Sequence, residues 1–525
     1  MNAELLNRDR GEWWSEHYKP NVAQELGSAI TALGLDESWE NIAKDPLRLA
    51  LANALWSSTI ACFGPQLSAD TLVALNKARF GPEYITADVS AHVFTGNHLS
   101  VSGKLFPLDS QGNHIPGPVL VHHMPTFVSI EGGKPTIGDI SPITLEPVDD
   151  KFELSLKTPN GYVWRKTLDV IKAASYTTQL VGKDGLKAPV KSIASPCVSS
   201  FQVMILRPDC QENCLMCTVA RGTGAIPEFY QVQVSEVLDV LLGDAAAKGH
   251  AFQQTFTGGS LSNGDGGFAS AHGWGMELLA QKISVIEEET GNKIPVQIQL
   301  EMVLPKDQST WQGIINTLSH YTNDLGWKIS LAINMEVIQD EWKPEFLQGR
   351  IKSQTTLYDH LAFAQQVHDG TDGMVHINSL IMFGMKPIDL QDGQYLAADL
   401  SVLKQLIHAG IKPDYQPVKI EGNTPLEAYP PPNPVYLLLQ DIALKQMISQ
   451  ARLPWSPGCV GGCNACDQSH ETIQLLKAAK KAGAFLPDVL APLLIKLGDT
   501  YSELYREIFS SHVYGAPVTL YEAKS

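Results

Sequence analysis

From about residue 198 to 435 the chain alternates short apolar runs with stretches of helical period, and this alternation limits its fold more than any other feature. The runs are Phe201–Leu206, Ala251–Thr257, Val296–Leu300, Lys328–Ile333, Met374–Met382 and Asp414–Ile420. Short apolar runs separated by helix-length segments read as strands of successive βαβ units. Parallel neighbours need long crossovers, so the fold class predicted is α/β, a parallel sheet curled into a partial or full (β/α) barrel. Functional side chains of such folds gather at the carboxyl ends of the strands.

The flanks differ in period. Residues 1–85 read as a helical region, with apolar positions recurring at three and four through Val22–Leu33 and Leu47–Leu55, and Trp13, Trp14 and Trp56 as packing anchors. Residues 86–190 read as a small β-rich domain, with turn signals at Phe94–His98, Asp109–Asn113 and Thr158–Gly161. The neighbours His122 and His123 would point to opposite faces of a strand and do not suit one shared metal ion. Residues 191–435 form the barrel unit, and the Pro-rich run Tyr429–Pro434 marks its boundary with a helical extension over 436–525.

The 525 residues carry a formal charge of -17, with 44% hydrophobic and 18% charged residues. That balance disfavours a nucleic-acid surface, which needs clustered Lys and Arg. No run approaches the roughly eighteen apolar residues of a membrane span, and no apolar signal or basic leader precedes the first helices. The expectation is a cytoplasmic protein with no membrane partner.

Just after the first strand, Cys210, Cys214 and Cys217 form a C-x3-C-x2-C triplet. Three thiolates can hold three corners of a [4Fe-4S] cluster and leave one iron open to a small ligand. The alternative is structural zinc, which needs a fourth ligand that this segment lacks nearby; Cys197, beyond the strand, is nearest upstream. Sparse cysteines argue against a disulfide framework. Cys62, in an apolar helical segment, needs no function.

The triplet at the end of a first barrel strand resembles the signature of radical S-adenosylmethionine (SAM) enzymes. That resemblance implies that SAM chelates the open iron and is cleaved reductively to a 5'-deoxyadenosyl radical. It makes Met216 a neighbour of the adenine, where an aromatic residue is usual. Thr257-Gly258-Gly259-Ser260 ends the second strand where these enzymes carry a Gly-Gly-Glu-like motif for the SAM amino group; Ser260 replaces the Glu. Glu301 ends the third strand, and Asn334-Met-Glu336 follows the fourth. Both carboxylates require a partner if buried, either a ribose or amino group of the ligand or a neighbouring Lys or Arg. The stretch from Asn334 through Arg350 to Gly370 resembles the biotin synthase and hydrogenase-maturase branch, in which an Arg near Arg350 contacts the SAM carboxylate. Ile381-Met382-Phe-Gly384 resembles its adenine-flanking turn, and Pro417–Leu426 resembles its last strand end. Lys419 and Glu421, on that strand end, are candidates for substrate contact or for a salt bridge.

A second C-x3-C-x2-C triplet, Cys459, Cys463 and Cys466, lies in a Gly-rich loop of the extension. It resembles the auxiliary [4Fe-4S] site of many radical SAM enzymes, with zinc as the alternative. Cys197, Cys62, Asp467, His470 or the substrate could complete it. The expected function is hydrogen abstraction from a small-molecule or peptide substrate, with SAM, two [4Fe-4S] clusters and a reductant such as flavodoxin or ferredoxin. Oxidation, rearrangement and carbon-sulfur bond formation stay open as outcomes, and the rival reading is a cluster-assembly or electron-transfer protein.

Overall fold

The structure is a computed structural model, and it describes residues 19–63, 71, 74–75, 77–78, 84–86, 90–94, 98–102, 105–107, 142–170, 174–196, 202–207, 209–212, 214–215, 220–221, 226–259, 265–347, 351–385, 392–418, 432–453 and 469–510. The turn expected at Asp109–Asn113 and the pair His122 and His123 lie outside them, as do Trp13 and Trp14.

Among the described residues the first long helices are α1 (Lys19–Ala32) and α2 (Pro46–Phe63), with the single helical turn Trp39–Ile42 between them. Trp56 of α2 meets Trp39 and Trp164, with ring centroids 5.5 to 6.2 Å apart. Trp164 belongs to a five-stranded sheet of β1 (Ser90–Phe94), β2 (His98–Ser102), β3 (Ile143–Val148), β4 (Lys151–Lys157) and β5 (Val163–Val170), ordered β1-β2-β5-β4-β3. The Thr158–Gly161 turn joins β4 to β5, with Gly161 at φ 84°. Along β4 the alternation of Phe152, Leu154 and Leu156 places one apolar row inward.

The larger sheet contains β6 (Ala194–Pro196), β7 (Gln202–Arg207), β8 (Phe252–Gly258), β9 (Val296–Met302), β10 (Lys328–Ile333), β11 (His376–Phe383) and β12 (Ile411–Pro417), neighbours in that order. β6 is antiparallel to β7, and the six strands from β7 to β12 are parallel. Helices α3 (Glu228–Lys248), α4 (Trp274–Thr290), α5 (Trp311–Ser319), α6 (Leu357–Gly370) and α7 (Gly393–His408) make the crossovers. Crossovers between parallel strands are right-handed almost without exception, and with the strands in chain order that rule places every helix on the same face.

The register separates two faces. Phe256, Leu300, Leu331, Ile377 and Ile411 form one row, all buried. Tyr415 shares that face, and its hydroxyl donates to Asp399 of α7 at 3.1 Å, so this face carries the helices. Five of the six expected strands lie within two residues of their expected starts. The last, expected over Asp414–Ile420, instead runs Ile411–Pro417. β12 contains Pro413 and is the edge of the sheet, where a missing N–H is tolerated.

After β12 come α8 (Pro434–Gln450), α9 (Ser469–Ala482) and α10 (Asp499–Ser510). Asn433 caps α8 by accepting from the N–H of Val435, and Pro434 takes the first helical position, where it has no N–H to lose. α2 packs against α8 and α9, so the helices near the two ends of the sequence share one bundle. Among the described residues no helix is long and apolar enough to cross a membrane.

Candidate functional site

Cys210 follows β7 directly. Asp209–Cys210 pairs in parallel with Ala220–Arg221, which draws the two ends of the cysteine loop together. Within that loop Cys214 forms a bridge to Leu347, and the N–H of Leu215 donates to the carbonyl of Phe346 at 3.0 Å. Glu212, only 5% exposed, accepts from the N–H groups of Ile351 (3.3 Å) and Lys352 (3.3 Å). The loop is therefore fastened at both Cys214 and Glu212 to the segment that follows β10.

Lys352 continues this line of contacts. Its ammonium pairs with Glu336, and both side chains are nearly buried. Burial alone would lower the Lys352 pKa, but the charges of Cys214, Glu336 and Cys210 outweigh it and hold the ammonium well above its ordinary value. Glu336 lies at φ 60°, a left-handed conformation that a non-glycine residue adopts only when its surroundings enforce it. Those surroundings are β11: the N–H of Glu336 donates to Leu380 at 2.9 Å, and its carbonyl accepts from Met382 at 2.7 Å. Glu336 Oε2 is buried with no hydrogen-bond partner in the described structure.

The other expected residues fall around this pair. Asn334 Oδ1 accepts from the N–H of Leu380 at 3.2 Å, so the amide secures the strand end. Met382 stands in register with Gln416 on β12. Gly384 has φ 86°, and a Cβ there would overlap Pro432. Gly258 pairs with Arg207 at the end of β7, where a Cβ would stand 3.1 Å from that of Arg207; Gly259 N–H donates to the Arg207 carbonyl. Glu301 accepts from Gln299 at 3.1 Å, and its carbonyl bonds to His272 at 2.8 Å. Burial pushes His272 down to about 4, so the ring is neutral near pH 7. Cys217, Met216, Ser260, Arg350, Lys419, Glu421, Cys459, Cys463, Cys466, Cys197 and Asp467 lie outside the described residues. Cys62 is fully buried in α2, and burial pushes its thiol up.

Between the site and the base of the sheet, the face opposite the helices is polar. Thr255, Gln299, Ser330 and His376 form one row of it, and Glu301, Ala332, Asn378 and Lys412 form the next. Asn378 donates to Gln299 at 3.1 Å. Thr255 Oγ1, Ser330 Oγ and Asn378 Oδ1 are buried there with no hydrogen-bond partner in the described structure. Parallel sheets covered on both faces are apolar on both. A polar face with unmet acceptors suits bound water or a polar ligand.

No family model matches the chain. No curated protein sequence matches it either. Among the described residues no group of three or more His, Cys, Asp or Glu side chains could hold a metal, a set that does not include Cys217. Sequence reasoning missed Glu212 and Lys352. The one signal was their setting, an acid inside the cysteine loop and a base two residues after Arg350.

Proposed function

We propose that this chain is a radical SAM enzyme, with Cys210, Cys214 and Cys217 holding a [4Fe-4S] cluster and Cys459, Cys463 and Cys466 holding a second. One observation carries the reading: Cys210 and Cys214 follow the first parallel strand and are fastened beside a buried Lys352–Glu336 pair. Thiolates around a metal group are a concentrated negative charge, and a buried ammonium coupled to both described thiols suits that donor set. When bound, a cluster with an open iron supplies the electron that cleaves SAM to a 5'-deoxyadenosyl radical.

The chain's own residues divide the remaining work. In this reading the sheet is a partial barrel with its polar face as the interior, supported by the sequential strand order and by the placement of the helices. Glu336 Oε2 offers an acceptor to an amino or hydroxyl group of the ligand. Gly258 admits the close approach of Arg207 at the strand end. A small-molecule or peptide substrate fits the polar interior, and a one-electron reductant is the required partner.

Metal and sulfide content after anaerobic reconstitution tests the donor assignment. Two cubanes require about eight irons with matching sulfide per chain, falling to about four when either triplet is changed to serine. Zinc without sulfide contradicts the assignment.

A further inference from the structure

We propose that Lys352 is a positioning residue that balances the charge of the cysteine-held cluster and raises the potential at which it accepts an electron. The inference rests on the radical SAM reading and deepens it, since nothing in the cysteine signature requires a cation at this place.

The geometry carries the argument. Glu212 lies between Cys210 and Cys214 and accepts from the backbone N–H of Lys352, so the lysine backbone is fixed against the cysteine loop itself. The Lys352 side chain is 13% exposed and ends on Glu336, whose side chain is 10% exposed. Glu336 is in turn held by Leu380 and Met382 of β11. The backbones on both sides of the pair are thus fixed, one to the cysteine loop and the other to β11.

A pair at this depth carries a desolvation cost, and a hydrophobic pair of the same volume is often as stable. Stability alone is therefore a weak reason for placing it here. A charge role is a better one, because the backbone that carries the ammonium is bonded to Glu212, between Cys210 and Cys214. The potential of an iron-sulfur cluster depends on net charge and on solvent exposure around it. A cation held at a nearly buried site favours the reduced cluster, which has gained one negative charge. The electron comes from an external one-electron donor, and the cluster is the only group whose oxidation state changes.

The experiment is a redox titration of reconstituted full-length protein with dithionite, without SAM, followed by the electron paramagnetic resonance signal of the reduced cluster. The triplet Cys459, Cys463 and Cys466 is replaced by serine so that one cluster is observed. K352M and K352Q are expected to show the reduced-to-oxidised ratio at fixed potential lowered about tenfold, which is about 59 mV for one electron. K352R is expected to stay within twofold of the parent. If both neutral variants fail to load iron while K352R loads normally, a positive charge is a condition of assembly, and the charge role stands. An unchanged ratio in either neutral variant, or loss of loading in K352R, overturns it. A parent protein that binds no iron and sulfide instead overturns the radical SAM reading beneath it.

Discussion

Glu212 accepts from the backbone N–H of Ile351 at 3.3 Å, across 139 residues of sequence, and so joins the cysteine loop to the segment after β10. In E212A the N–H groups of Ile351 and Lys352 lose their acceptor in a buried place, at about 1–3 kcal/mol for a buried group left unsatisfied. Urea unfolding is expected to show a loss of that order. Amide exchange at Ile351 and Lys352 is expected to accelerate more than exchange in β9 and β10.

Two glycines respond oppositely to a methyl group. Gly393 begins α7, and its Cβ would overlap the backbone carbonyl of Leu497, whereas Gly243 lies inside α3 with open space around it. G243A is expected to stabilise by about 0.5–1 kcal/mol through helix propensity. G393A is expected to destabilise by about 1–3 kcal/mol, as overpacking does. The difference in urea midpoint between the two variants checks both.

Burial holds His272 and His360 each at about 4, below the ordinary 6.5. The unfolded chain therefore binds these protons at a higher pH than the folded one. Their contribution is present above pH 6.5, is lost as pH falls from 6.5 toward 4, and changes no further below that. Each histidine adds a slope of at most about 1.4 kcal/mol per pH unit in this window. Unfolding free energies measured between pH 7 and pH 4.5 are expected to flatten in the H272Q/H360Q double variant.

Trp164 is fully buried between the small sheet and the helices, and its indole N–H donates to the carbonyl of Glu37 at 3.0 Å. W164A is expected to lose about 3–5 kcal/mol, and W164F appreciably less, because the ring contacts with Trp39 and Trp56 are partly kept. Thermal melts of the two variants decide this.

Much of the sheet was legible because strand period and length are local properties. Phe201–Leu206 and Lys328–Ile333 declared themselves within their own residues, while β12 starts at Ile411, three residues before the run expected from Asp414, and tolerates Pro413 through its edge position, a property of the whole sheet. The cysteine triplet was legible as spacing. Lys352 was not, because its meaning depends on Glu336, sixteen residues away, and on Glu212, 140 residues away. Likewise Gly258 is explained by the approach of Arg207, which no local pattern announces.

The central claim is that the Cys210, Cys214 and Cys217 site cleaves SAM. The most direct measurement is 5'-deoxyadenosine formed by anaerobically reconstituted protein given SAM and dithionite, beside the C210S/C214S/C217S variant. The account predicts 5'-deoxyadenosine from the parent protein and none above background from the triple variant. Its absence from iron-loaded parent protein, even with cell extract added as a source of substrate, or equal amounts from both proteins, would contradict it.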